Sequence, residues 1–269
     1  MKSAWPHSSL HNLRSSGGTT QGVARSPFMK FEKQQQAFRD SNPSLIGRGF
    51  EKFTNPVASA VTSFIPNGLV KGVLKGIDRA IGAPQLVKFD HDLTDLVQCH
   101  DAAKTVARTA KAVSGSTGAA SGLGGIATMG LDIPATIAVA LRNIRDTGRA
   151  YGYDGKGARE RLFRLQILEL ASLNDRSQRQ ERIAVLEAGI ASDGSLTEIS
   201  PDEIEPIIEQ AVERVSRALA LALFRRRVGA VVPLVGSVIG GAVNVSFQGD
   251  IGEAARYAFQ ERRLRTGGA

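Results

Sequence analysis

Cysteine is almost absent from this sequence. The single thiol, Cys99, excludes an internal disulfide and fits a reducing compartment. Alternating runs of β-branched and aromatic residues are missing too, and aromatics make up only 6% of the chain, which argues against a sheet-based fold. The first thirty residues hold no acidic side chain and no apolar stretch of signal-peptide length, so they do not read as a secretory leader. Their basic, Ser/Gly-rich composition leaves two other readings, a faint organelle transit signal or a true start at Met29. The phosphate-cradling patterns G-x-x-x-x-G-K-[ST] and G-x-G-x-x-G do not occur. Neither do H-E-x-x-H, C-x-x-C or G-x-S-x-G, so no cofactor, metal or nucleophile motif is present.

What is present is an ordinary globular composition, 42% apolar and 22% charged, with a net charge of +8. The charge is uneven. Residues 1–56 carry eight Lys/Arg against three Asp/Glu, a net +5 that leaves only +3 for the rest. Residues 1–54 therefore read as a disordered basic tail, and residues 55–265 as a helical domain. The expected fold is an all-α, multi-helix bundle of six to nine helices.

Val57–Ile81 reads as two short helices punctuated by Pro66 and Gly68, and Gln85–Val113 as an amphipathic helix. Ala135–Tyr151 and Asp154–Ser172 read as two more, with a short one around Glu181–Ile190 before a loop at Asp193-Gly194-Ser195. Tyr151-Gly152 reads as a helix C-terminus with glycine in the left-handed position. The clearest helix opens at Ser200, where Ser200 and Glu203 form an S-x-x-E capping box around Pro201. It ends at Arg225, Arg226 and Arg227, where the helix dipole favours cations.

Two Gly-rich apolar segments stand out. Gly115–Gly130 contains six glycines, and Val228–Phe247 is twenty residues without a charge, interrupted by Pro233 and four glycines. The second meets the length criterion for a bilayer span, and Gly236 and Gly240 form a G-x-x-x-G. Its many glycines, Pro233 and Asn244 keep its hydrophobicity low. A buried helix or hairpin within a soluble bundle, reversible insertion into a membrane and a permanent span are all open readings. A final helix is expected over Gly249–Leu264.

Polar constellations are sparse. His91, Asp95 and Cys99 share one side of a helix, but a single helix supplies two converging metal ligands at most, so this reads as a solvated face. Asp132, ahead of Pro134, suits a helix N-cap. Its functional reading is a ligand site shared with Arg142 and Arg145, which lie three residues apart on one helix face.

The segments Gly125–Pro134, Leu141–Arg145, Ala150–Asp154, Pro233–Asn244 and Ala254–Arg262, in that order, resemble the EcsC protein family over about residues 55–265. The family takes its name from a bacterial operon that also encodes an ATP-binding cassette transporter. The resemblance implies a helical domain with a membrane connection and supplies no catalytic residues.

Together these features lead us to expect a non-enzymatic, membrane-associated accessory protein on the cytoplasmic side, peripheral on the inner face of the cell membrane. Its partner would be anionic lipid or a membrane transporter, contacted through Arg225, Arg226, Arg227, Val231, Leu234 and Val238. The alternative is a hydrolase or lipid-modifying enzyme with Asp132, Arg142 and His91 in a pocket between the Gly-rich segments. Nucleic-acid binding rests on the basic tail alone and ranks last.

Overall fold

The computed structural model describes residues 20–41, 67–121, 129–173, 175–228 and 236–267. They form eight helices: α1 (Thr20–Asp40), α2 (Asn67–Gly82), α3 (Leu96–Ser121), α4 (Met129–Ala150), α5 (Ala158–Ser172), α6 (Arg176–Ala188), α7 (Pro201–Val228) and α8 (Gly236–Thr266). Among the described residues the only β pairing is the isolated bridge between Ile190 and Leu196, so the all-α expectation holds.

The core lies where α8 crosses α3, α4 and α5, with α2 and α7 closing the far side. Phe163, Phe247, Phe259, Tyr151, Ile144 and Leu165 fill it and are almost entirely buried. Close helix approach depends on small residues. A side-chain carbon added to Gly252 would lie 2.8 Å from Cβ of Ala107, so α8 and α3 meet with almost no space between them.

Local chemistry explains most boundaries. At the end of α4, the Gly152 N–H donates to the Arg149 carbonyl and the Tyr153 N–H reaches the Gly148 carbonyl at 2.9 Å. With Gly152 at φ 87°, this is the left-handed glycine terminus that Tyr151-Gly152 suggested. At the start of α7, the Ser200 hydroxyl donates to the Glu203 carboxylate at 2.7 Å while the Glu203 N–H donates to the Ser200 carbonyl. Asp175 caps α6 by accepting from the Gln178 N–H at 2.8 Å.

Several boundaries differ from the sequence reading. The expected helix from Gln85 does not start until Leu96, because Asp95 accepts from the Val97 and Gln98 N–H groups and so caps α3 there. Asp92 bonds the Thr94 N–H at 2.8 Å, a local turn that competes with helix just upstream. The segment after Pro66 is one helix, α2, while residues 57–66 lie outside the described residues. Val228–Phe247 and the final helix are not separate units. From Gly236 onward they form one 31-residue helix.

The tail also needs revision. Residues 20–40, placed in a disordered tail over 1–54, form α1. Phe31 (1% exposed) and Gln35 (2%) on this helix are buried against the bundle. The remainder of 1–54 falls outside the described residues, apart from Ser41.

Candidate functional site

Helix register sets where the unusual segments lie. Gly115 on α3 faces Val245 on α8, Lys111 faces Gly249, and Ala107 faces Gly252, so the two helices run antiparallel. The end of α3 therefore lies beside the start of α8. Gly76 of α2 faces Ile137 of α4, which belongs to the first half of its helix. Residues 112–131 and 228–249 contain no charged side chain. The register sets the charge-free residues 112–121 of α3 beside the charge-free residues 236–249 of α8, at the end of the bundle where α3 finishes and α8 begins. No described helix is long and apolar enough to cross a membrane.

The expected contact residues sit at this end in part. Arg225, Arg226 and Arg227 occupy the last turn of α7, and Val238 the first turn of α8. Val231 and Leu234 lie outside the described residues.

The other expected residues have different surroundings. Asp132 lies near the start of α4. Arg145 is 4% exposed, and its carboxylate partner is its own neighbour Asp146, at 2.8 Å. The Arg145 guanidinium also donates to the carbonyls of Ala80, Ala83 (2.9 Å) and Pro84 (3.2 Å), and Arg142 donates to the Pro84 carbonyl at 2.9 Å. Both arginines thus clamp the turn after α2 onto α4. His91 meets the Ala150 carbonyl at 2.9 Å, and Asp95 is occupied as a cap. Cys99 is fully buried, and burial raises its thiol pKa. Among the described residues no group of three or more His, Cys, Asp or Glu is placed to hold a metal ion.

Two polar arrangements were not anticipated. Under α1, His100 (7% exposed) packs against Phe31, with Nδ1 3.2 Å from the Tyr151 hydroxyl and 3.4 Å from Gln260 Nε2. Burial first, then the nearby Lys104 and Arg256 charges, push its pKa down to about 4. Gln35 of α1 donates to Gln260 Oε1 at 2.6 Å, joining α1 to this network.

The second arrangement is a cleft of about 440 Å³ between α2, α4, α7 and the start of α5. Ile77, Ala80, Leu141 and Leu165 form its apolar walls, and Lys156, Arg161 and Arg164 supply three cations against one acid, Glu205. Arg164 Nη2 donates to the Gly155 carbonyl at 2.6 Å, and burial lowers the guanidinium pKa. The approach is so tight that a side chain at position 155 would collide with that guanidinium. Arg142 and Arg145 do not line this cleft. The sequence trace of the cleft is Gly155-Lys-Gly-Ala-Arg-Glu-Arg161-Leu-Phe-Arg164, a glycine turn leading into a helix with basic residues three apart. Its apolar walls come from helices far away in the chain.

The fold and these features define a class: a domain helical throughout its described residues, with the charge-free end of α3 beside the charge-free start of α8. The chain belongs to the EcsC protein family, whose description matches residues 29–264. The match opens within α1, earlier than the resemblance over 55–265 implied. The chain is 24% identical over 223 residues to "Protein EcsC" of Bacillus subtilis strain 168, an alignment covering 80% of this chain and 88% of that one. It is 28% identical over 153 residues to the uncharacterized protein YdbA of the same strain, covering 55% of this chain and 51% of that one. No solved structure matches the chain.

Proposed function

We propose that this protein is a non-enzymatic accessory domain that docks on the cytoplasmic face of a membrane by the charge-free end of its bundle. The observation that carries the reading is the antiparallel register of α3 and α8, which sets the charge-free residues 112–121 beside the charge-free residues 236–249. A surface without charge would be poorly matched to water and well matched to the boundary between lipid headgroups and acyl chains. Arg225, Arg226 and Arg227 at the end of α7 supply attraction to anionic headgroups, worth about 1 kcal/mol per cation near such a surface. The docking is peripheral, and the partner is anionic lipid. The family's operon association makes a membrane transporter a second partner on the same surface.

The test is flotation of the purified full chain with phosphatidylcholine vesicles, with and without phosphatidylglycerol. Flotation restricted to the anionic vesicles, and weakened roughly a hundredfold by the triple change Arg225→Gln, Arg226→Gln, Arg227→Gln, is the expected result. Salt release of the bound protein is expected as well. A chain that stays with the soluble fraction on both vesicle types overturns the proposal. Retention through an alkaline carbonate wash also overturns it, because it means insertion instead of docking.

A further inference from the structure

We infer that the cleft at the start of α5 is a binding site for a phosphomonoester carrying an apolar substituent. Arg161 carries the argument. It lines the cleft, and among the described residues its Nε is buried without a hydrogen-bond partner and no carboxylate pairs with its guanidinium. A buried donor left unpaired is unfavourable, and a bound anion would satisfy it. Arg164 on the next turn is also a donor in reserve. Its Nη2 is held by the Gly155 carbonyl, and its Nε has no partner. The two guanidinium groups are fixed on one helix three residues apart, which suits the forked recognition of a tetrahedral oxyanion. Lys156 stands at the rim, bonded only to Asp154 at 2.9 Å and largely exposed, and is free to turn inward.

The local backbone adds to the field. Gly157 is the residue before α5 and has no side chain to cap the first turn, so the positive end of a 15-residue helix opens beside these cations. Arg161 and Arg164, joined by Lys156 when it leaves Asp154, face one lining carboxylate, Glu205, and this donor set favours a dianion over a monoanion. A carboxylate would leave part of this donor set unused. The walls decide the rest of the ligand. Ile77, Ala80, Leu141 and Leu165 are apolar, and a free inorganic anion would leave them in contact with water. The volume of about 440 Å³ accommodates a headgroup with a short chain or ring. None of the described lining residues belongs to the charge-free segments, so this site stands apart from the proposed docking end.

The experiment is isothermal titration of the full chain in low-salt buffer with three soluble probes: inorganic phosphate, dihexanoyl phosphatidic acid below its micelle concentration, and dihexanoylglycerol. No vesicle is involved, so the result does not depend on membrane docking. Binding of the phosphatidic acid about tenfold or more tighter than inorganic phosphate, with no binding of the neutral diacylglycerol, is expected. Arg161→Gln weakens that binding about tenfold or more, as loss of a charge-assisted bond requires. Arg161→Lys recovers part of it, and Arg159→Gln, which changes an arginine paired with Glu198 outside the cleft, leaves it unchanged. Thermal melts confirm that each variant is folded. Absence of binding by both phosphate probes overturns the site. So does equal affinity in the wild type and a folded Arg161→Gln variant. Equal affinity for the two phosphate probes overturns the apolar substituent.

Discussion

Arg145 and Asp146 are adjacent on α4, and their side chains meet 2.8 Å apart inside the protein, 4% and 0% exposed. Successive helix positions point to different faces, so such a pair needs a reason to bend together. The reason is the turn after α2. Asp146 accepts the Leu86 N–H at 2.7 Å while Arg145 gathers the carbonyls of Ala80, Ala83 and Pro84. One buried ion pair therefore serves both the donor and the acceptors at the end of α2 and in the turn that follows it.

Replacing Asp146 leaves a buried guanidinium without its counter-charge. Asp146→Ala is expected to lower the unfolding free energy by about 3–5 kcal/mol, and Asp146→Asn by less, because the amide still accepts from Leu86. Urea unfolding of the two variants beside the wild type measures the difference.

His100 makes the protein acid-sensitive. Its folded pKa is about 4, against 6.5 in the unfolded chain. Between those values the unfolded chain binds a proton that the folded chain refuses, so stability falls as the pH drops through 6.5 toward 4. Above 6.5 the group is neutral in both states and adds nothing to the dependence. The expected loss between pH 7 and pH 5 is on the order of 2 kcal/mol, and His100→Gln removes it. Urea midpoints at the two pH values decide the matter.

The α3–α8 contact tolerates no added side chain at Gly252. Gly252→Val would drive a methyl-bearing carbon into Ala107, and a cost of about 1–3 kcal/mol or more is expected from overpacking. Ala107→Gly made in the same molecule should return part of it. A double-variant thermal melt reads this coupling directly.

Helix α1 is held by Phe31, by the Gln35–Gln260 bond and by ion pairs from Arg39 to Glu187 (2.8 Å) and Glu261 (3.2 Å). Removing the buried ring in Phe31→Ala should cost about 3 kcal/mol locally. Hydrogen exchange is expected to show lost protection in residues 28–41 first. Uniform protection across α1 in the variant would contradict the assigned packing.

Some of this was legible from local patterns. The absence of alternating strands, the S-x-x-E box at Ser200 and Glu203, and Tyr151-Gly152 each specify a backbone outcome within a few residues of themselves. That is why they hold in the structure. The start of α3 departs from the apolar spacing upstream because Asp92 and Asp95 override it, their carboxylates bonding nearby N–H groups. The candidate sites were harder to read. The spacing of Arg142 and Arg145 puts them on one face, but the carbonyls that occupy them belong to residues about sixty positions earlier. Arg161 and Arg164 gave only a faint signal, because a basic helix face is ordinarily solvated and nothing nearby announces Ile77 or Leu141 as walls.

The sequence alone determined that this chain is helical, where several helices are capped, and that two stretches carry no charge, since these depend on neighbours a few bonds away. The tertiary structure decided that α1 packs onto the bundle, that α8 runs unbroken from Gly236, that residues 112–121 lie beside 236–249 and that Arg161 Nε has no partner among the described residues. Each of those follows from contacts between distant segments, where close packing and the pairing of buried polar groups select one arrangement among many that the local pattern permits.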